Sequence, residues 1–355
     1  MGVIAGLLVA SKNRRQQVYH TFGAATNFLV RMRANPGTSS PATIYWGDAN
    51  NSKTDVLPMN TGAGTDYVFT YPAGDQSTAI EKVVVIDFQS PENLDLFELG
   101  RSQRVSRFDG TPFLVAGLTT FDIGRMGGTC FSLPVFKAGL QALIVDQNAL
   151  TAVEVFNSTI NCKTSLLILK VGSGDPSSTL RNNGQAVSGR QNYNLSEYPN
   201  LEILYINSSM ADLSGLASTK LKDLRFWSNA LTAVPTLPTT IEQVWCGAAS
   251  GDLGNQLTTA FDPTPYLANL YYSNFNACFY TSAASRAAGY QTLRNYALVA
   301  GQFLTAAQKV LNIAGRGSAG LQISASSTDP VQVQARADIA TLQAAGFNVI
   351  YQAIA

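Results

Sequence analysis

Apolar residues recur along this chain in a short, repeated spacing. Residues 140–150, LQALIVDQNAL, place Leu140, Leu143, Val145 and Leu150 around a polar Asn148, and residues 221–231, LKDLRFWSNAL, repeat the arrangement. Side chains two apart on a strand share a face, so Leu143 with Val145, and Leu224 with Phe226, predict short strands with one apolar side. Each strand ends in a turn whose open backbone groups an interior asparagine can satisfy. One such unit cannot bury its own apolar face; stacked units supply the missing wall. With the paired anchors as a ruler, further rows run through Leu94, Phe97 and Leu99; Leu118, Phe121 and Ile123; Thr164, Leu167 and Leu169; Leu201, Leu204 and Ile206; Ile241, Val244 and Cys246; and Leu267, Leu270 and Tyr272. A weaker row passes through Leu311 and Ile313.

The two full matches follow L-x-x-L-x-L-x-x-N-x-L, and successive second anchors are spaced by 24, 22, 24, 37, 20, 20 and 26 residues. A repeat of about 20 to 29 residues with this pattern resembles the leucine-rich repeat. The resemblance implies parallel strands lining the concave side of an irregular solenoid over residues 90–355. The long step requires an insertion, which the Gly-, Ser- and Asn-rich stretch 172–194 provides; a second, near 276–305, includes a helical segment at 283–304. The C-terminus reads as a helix-strand cap. Thr328-Asp329-Pro330 starts a helix over 331–345, Gly346 suits a left-handed C-cap, and Phe347-Asn348-Val349-Ile350 returns as a strand.

Residues 16–89 alternate differently. Phe28 to Met32, Thr43 to Trp46, Tyr67 to Tyr71 and Lys82 to Ile86 are strand-like and are separated by Pro, Gly, Asn and Ser clusters, which fits a small antiparallel sandwich. Trp46-Gly47-Asp48, followed by Tyr71 and Gly74, resembles the W-x-F-G-D-G and Y-x-x-x-G pattern of PKD-type immunoglobulin-like domains, with Trp46 in place of Phe and Ala49 in place of the second Gly. The expected fold is therefore mixed and β-rich, an immunoglobulin-like β-sandwich followed by the repeat domain.

Only 13% of the 355 residues are charged, about half the usual share, and the net charge is +1. A surface so weakly charged suits extensive subunit contact, and the balance excludes a dedicated nucleic-acid binder. Residues 1–47 nonetheless carry Lys12, Arg14, Arg15, Arg31 and Arg33 with no acid, so this stretch has charge +5 against −4 for the remainder. An anionic partner for an arm at 1–15 follows as an expectation, an acidic neighbouring subunit included. The arm's apolar run includes Val3, Ile4, Leu7 and Leu8; its cations follow instead of preceding it, unlike a secretory signal, and it is too short to span a bilayer. Burial of the run against an assembly partner is the preferred reading, and no transmembrane segment is expected.

Chemistry-bearing motifs are few. Cys130, Cys162, Cys246 and Cys278 form no C-x-x-C, and His20 is the single histidine, so neither a metal site nor any other cofactor is expected and buried free thiols are preferred. One histidine without a G-x-S-x-G elbow gives no hydrolase signature. Residues 315–320, GRGSAG, read G-x-G-x-x-G but precede a strand-like run instead of the helix that would hold a pyrophosphate. Residues 48–52 open like a calcium loop, yet Lys53 stands where the turn glycine belongs. The pair Asp95 and Glu98 is too common a surface pattern to nominate a glycosidase.

The residue between the second and third anchors of each row should face outward: Glu98, Asp122, Ile144, Ile168, Tyr205, Arg225, Trp245 and Tyr271. Trp227 lies one outward position beyond Arg225. Tyr, Trp and Arg dominate binding hot spots, so Tyr205, Arg225, Trp227, Trp245 and Tyr271 are the expected partner-binding residues. The functional expectation is a non-enzymatic structural or interaction protein. It would be a subunit of a large assembly, similar to phage virion or tail proteins or to injection-system components, located in a virion or an extracellular particle assembled in the cytoplasm. Its partners would be other protein subunits. The alternative is a cell-surface adhesion or carbohydrate-binding module that meets a host glycan or protein.

Overall fold

A computed structural model describes residues 14–21, 27–35, 38, 41–47, 54–58, 64–71, 81–100, 104–124, 130–146, 148, 150–171, 191–206, 210–227, 231–247, 255–280, 282–314 and 321–354. Val3, Ile4, Leu7, Leu8 and Lys12 of the arm, the loop 48–52, Gly74, most of the insertion 172–194 and the motif 315–320 lie outside the described residues. The chain is β-rich, with several sheets and three described α-helices. It divides into two compact units, one of described residues up to Val171 and one from Gln191 onward. The division falls in the interval read as an insertion, and strands on both sides of residue 89 belong to the same unit.

In the N-terminal unit, β1 (Arg15–Thr21), β2 (Asn27–Ala34), β3 (Pro41–Tyr45), β4 (Thr54–Pro58), β5 (Thr65–Thr70), β6 (Lys82–Phe88), β7 (Leu94–Leu99) and β8 (Arg104–Asp109) form two antiparallel arrays. One runs β4-β3-β6-β1-β8; in the other, β2 pairs with β5 and with β7. The segments read as strands become β2, β3, β5 and β6, because alternation buries every second residue: Phe28, Val30, Met32 and Ala34 on β2, and Val84, Ile86 and Phe88 on β6. The arrays face each other through aromatic pairs. The rings of His20 and Phe28 lie 4.2 Å apart, Trp46 stacks on Phe69 at 5.4 Å, and Phe97 meets Phe108 edge-on at 6.3 Å. The Tyr71 hydroxyl donates to the Trp46 carbonyl and lies 3.2 Å from His20 Nε2. Gly47 has φ +69°, and a Cβ there would meet the Val83 carbonyl oxygen at 2.3 Å, so the backbone can make this turn only with glycine.

β7 then changes the pairing. Antiparallel to β2 on one side, it is parallel to β9 (Thr120–Asp122) on the other, and β10 (Ala142–Ile144) and β11 (Ile168–Lys170) continue in parallel register. Phe97, Phe121, Leu143 and Leu169 stand side by side beneath this ladder, all fully buried. Asn148 behaves as its position requires, donating from Nδ2 to the carbonyls of Ile123 and Val145 at 3.1 Å. Between β10 and β11, helix α1 (Ala152–Ser158) starts with a reciprocal cap in which Thr151 accepts from the Glu154 amide and Glu154 accepts from the Thr151 amide. One expected row is out of register. The inward anchors are Leu166, Leu169 and Val171, so Leu169 takes the second place of the row and Thr164 and Leu167 are not anchors, because residues 162–165 are consumed by a turn in which Leu166 N–H donates to the Cys162 carbonyl.

In the C-terminal unit, β12 (Gln191–Asn194) pairs with β14 (Met210–Ser214) beside a longer parallel ladder. That ladder runs β13 (Ile203–Tyr205), β15 (Asp223–Arg225), β16 (Gln243–Trp245), β17 (Tyr272–Asn274), β18 (Lys309–Asn312) and β20 (Phe347–Ile350). Its inward register is Leu204, Leu224, Val244, Ser273, Leu311 and Val349. The row read through Leu267, Leu270 and Tyr272 is therefore Leu270, Ser273 and Phe275: Leu267 lies in the turn after residues 264–266, and Ser273 takes an anchor position with its hydroxyl 2.5 Å from that of Tyr296. Asn229 is outside the described residues, and Asn255 satisfies the turn here, donating to the carbonyls of Phe226 at 2.8 Å and Cys246 at 2.9 Å.

Helix α2 (Ala283–Leu298) starts at the Ser282 cap and stops before Val299, six residues short of the expected 304, with 300–302 a separate 3-10 turn. Helix α3 (Pro330–Ala344) has Asp329 as cap, its carboxylate accepting from the Val331 amide at 2.8 Å, and Gly346 follows with φ +85°. The short strands β19 (Gln322–Ser324) and β21 (Gln352–Ile354) pair in parallel. Among the described residues, no helix is long and apolar enough to cross a membrane.

Candidate functional site

The parallel register of β13, β15 and β16 sets Tyr205, Arg225 and Trp245 next to one another on the face opposite Leu204, Leu224 and Val244. Neighbouring strands lie about 4.8 Å apart, close to the thickness of stacked planar groups, so the three side chains pile against each other. The Arg225 guanidinium carbon is 4.5 Å from the Tyr205 ring centre and 4.7 Å from that of Trp245. On its other side, toward β17, Trp245 stacks on Tyr272 with centroids 4.3 Å apart and planes 20° off parallel. A cation between two aromatic faces is attracted to both ring quadrupoles, most strongly where water is displaced.

Polar groups lock the stack. Asp223, two residues before Arg225 and hence on the same face, accepts from Arg225 Nη2 at 2.9 Å and from the Tyr205 hydroxyl at 2.8 Å. Its side chain is 12% exposed and that of Arg225 20%. Burial, followed by the Asp223 charge, pushes the Tyr205 phenol well above its ordinary value, so it stays a neutral donor. Burial is the largest single influence on Arg225 and opposes its charge, but the Asp223 hydrogen bond and charge, with Tyr205 and Tyr272 nearby, together outweigh it and the guanidinium is raised. Gln243 continues the network: it accepts from Trp245 Nε1 at 3.3 Å and donates to the Tyr271 hydroxyl at 2.7 Å.

Of the five expected partner-binding residues, the structure stacks Tyr205, Arg225 and Trp245 and attaches Tyr271 through Gln243. The expected open stripe is narrower than the sequence suggests, since Tyr205 is 8% exposed and Trp227 4%. Trp227 leaves the column because β15 ends at Arg225, and alternation does not carry into the turn. Tyr271 precedes β17, and Tyr272 takes its place in the stack. Asp223, Gln243 and Tyr272 were missed. The two-residue spacing on one strand face was the available signal for the first two.

The outward face of the N-terminal unit is built from charge. Glu98, Asp122 and Ile144 lie in the expected column, with Lys170 in place of Ile168. Arg31 reaches Asp66 at 2.5 Å and Glu98 at 3.2 Å, and Arg33 reaches Asp95 at 2.5 Å, whose other oxygen accepts from Thr119. Arg14 and Arg15, the described cations of the expected arm, lie 3.8 and 2.9 Å from Asp87 on β6. The excess of positive charge over residues 1–47 is thus met largely by acids of the same unit. His20 is buried, and burial lowers its pKa to about 4, leaving a neutral imidazole against Phe28 and Tyr71.

Other chemistry is sparse. Among the described residues, no group of three or more His, Cys, Asp or Glu side chains is placed to hold a metal ion. All four cysteines are free and buried. A groove of about 720 Å³ separates α2 from α3, but its polar groups engage one another: Arg294 and Gln334 on Asp338 at 2.7 and 2.9 Å, and Gln332 on the Tyr290 hydroxyl. Comparison with protein-family models, with curated protein sequences and with solved structures finds no match for this chain.

Proposed function

We propose that this chain is a non-enzymatic structural protein that lends a docking surface to a large assembly, in the manner of a phage virion or tail protein or an injection-system component. In this reading the parallel ladders form an irregular leucine-rich-repeat solenoid, and the two antiparallel arrays form a PKD-like, immunoglobulin-like sandwich. The partners are other protein subunits, and the setting is a virion or extracellular particle. The carrying observation is the stack of Tyr205, Arg225, Trp245 and Tyr272. Residues of these types dominate hot spots, and side chains already held in place lose little freedom when a partner arrives.

The adhesion or carbohydrate-binding alternative draws less support from the same residues. A sugar stacks on an open ring face, whereas Trp245 has Arg225 toward β15 and Tyr272 toward β17. Size measurement of the full chain, beside a variant lacking residues 1–13, tests the assembly reading. Association that rises with concentration and weakens when residues 1–13 are removed is expected. A monomer at every concentration, indifferent to the deletion, would overturn it.

A further inference from the structure

Two of the four cysteines touch. Cys246 follows β16, Cys278 lies in the turn after β17, both are fully buried, and their Sγ atoms are 3.6 Å apart. That is van der Waals contact, against about 2.05 Å for a disulfide bond. Cys246 Sγ accepts twice, from the Cys278 thiol and from Asn255 Nδ2 at 3.3 Å. Asn255 also holds the Phe226 and Cys246 carbonyls, so the side chain that closes the turn steers the Cys246 sulfur. The remaining thiols are turned elsewhere: Cys130 donates to the Ser132 carbonyl at 3.3 Å and Cys162 to that of Lys137 at 3.2 Å.

We propose that Cys246 and Cys278 are a disulfide-forming pair that cross-links the β16 and β17 rows when the chain folds in the presence of a small-molecule disulfide such as oxidised glutathione. The Cys246 thiolate attacks one sulfur of the oxidant, forming a mixed disulfide and expelling one thiolate. The Cys278 thiolate then attacks Cys246 Sγ and expels the second. The pair is oxidised by two electrons, the oxidant is reduced by two, and the two protons shed by the cysteines end on the two released thiols. Complete burial keeps solvent oxidant from the folded pair and raises the Cys278 thiol well above its ordinary range, so the exchange belongs to the folding chain, before the rows close. Once formed, the bond is shielded by the same burial. It restrains the loop between the two rows in the unfolded chain, which favours the folded state.

The test is a thiol count. The denatured, reduced full chain is refolded in a mixture of oxidised and reduced glutathione, alkylated after denaturation and weighed. The expected result is a fall from four alkylatable thiols to two, with non-reducing peptide maps joining the Cys246 and Cys278 peptides. Cys246→Ser and Cys278→Ser should each retain all three remaining thiols, and the oxidised wild type should melt above the reduced one. The same count on chain synthesised in an oxidising compartment removes any dependence on refolding. Four alkylatable thiols in folded protein, or a bond involving Cys130 or Cys162, would overturn the proposal.

Discussion

The two units dress the outward side of their parallel strands in opposite ways. In the N-terminal unit the arginines of β2, beside the ladder, are met by carboxylates, Arg31 by Asp66 and Glu98, and Arg33 by Asp95. In the C-terminal unit one cation, Arg225, lies between two rings and shares its single carboxylate with a phenol. Ion pairs at a surface are screened by salt and leave no net charge for a partner. A half-buried stack keeps ring edges and an amide network in a fixed arrangement at little further entropic cost. Short parallel strands of one general design can therefore present a self-neutralised face in one place and a preorganised one in another.

The contrast breaks most visibly in acid. His20, the only histidine, is in the N-terminal unit and its pKa falls from 6.5 to about 4 on folding. The unfolded chain binds the proton more readily, so stability present above pH 6.5 is lost as the pH falls toward 4, by about 3 kcal/mol for a shift of this size. Hydrogen exchange followed strand by strand should show β1 and β2 opening across that window while β15 and β16 hold. His20→Gln should flatten the response. Equal acid sensitivity of both units would remove this difference.

The next largest effect concerns the lock on the stack. Asp223→Ala leaves the Arg225 charge and the Tyr205 hydroxyl half-buried without their shared acceptor, and should cost about 2 kcal/mol after allowing for the exposure of Arg225. Urea unfolding measures it, and a loss below a few tenths would mean that Arg225 swings out to solvent. Ser273→Ala, which strips the buried Tyr296 hydroxyl of its partner, should cost about 1 to 2 kcal/mol. Smallest is Arg15→Ala in the N-terminal unit. Its side chain is 54% exposed, so breaking the Asp87 pair should cost about 0.5 kcal/mol or less and vanish in high salt.

What the sequence made legible followed from how local each interaction is. The rows at Leu143, Leu204, Leu224 and Val244 were found because inward pairs two residues apart are a local signal. The rows at Leu169 and Ser273 slipped because leucines in preceding turns imitate anchors, and because the partner that makes a serine acceptable there, Tyr296, comes 23 residues later in a helix. β1 and β8 went unread since the buried face of β1 includes Gln16 and His20, and the buried residues of β8, Val105 and Phe108, are three apart and break the alternation. In the stack, Arg225 and Trp245 were placed correctly on their strands. Tyr272 was missed with the register of its row, and the burial of Tyr205 depends on Asp223 of the next strand. Charge asymmetry along the chain also misled, as Arg31 and Arg33 meet acids 35 to 67 residues away.

Sedimentation velocity of the full chain and of Trp245→Ala, at matched concentrations and with melting curves recorded on both, tests the docking face most directly. The wild type should associate as concentration rises, and Trp245→Ala should remain smaller while melting close to the wild type. Unchanged association in a folded Trp245→Ala protein would contradict the assignment of this stack as the surface that meets other subunits.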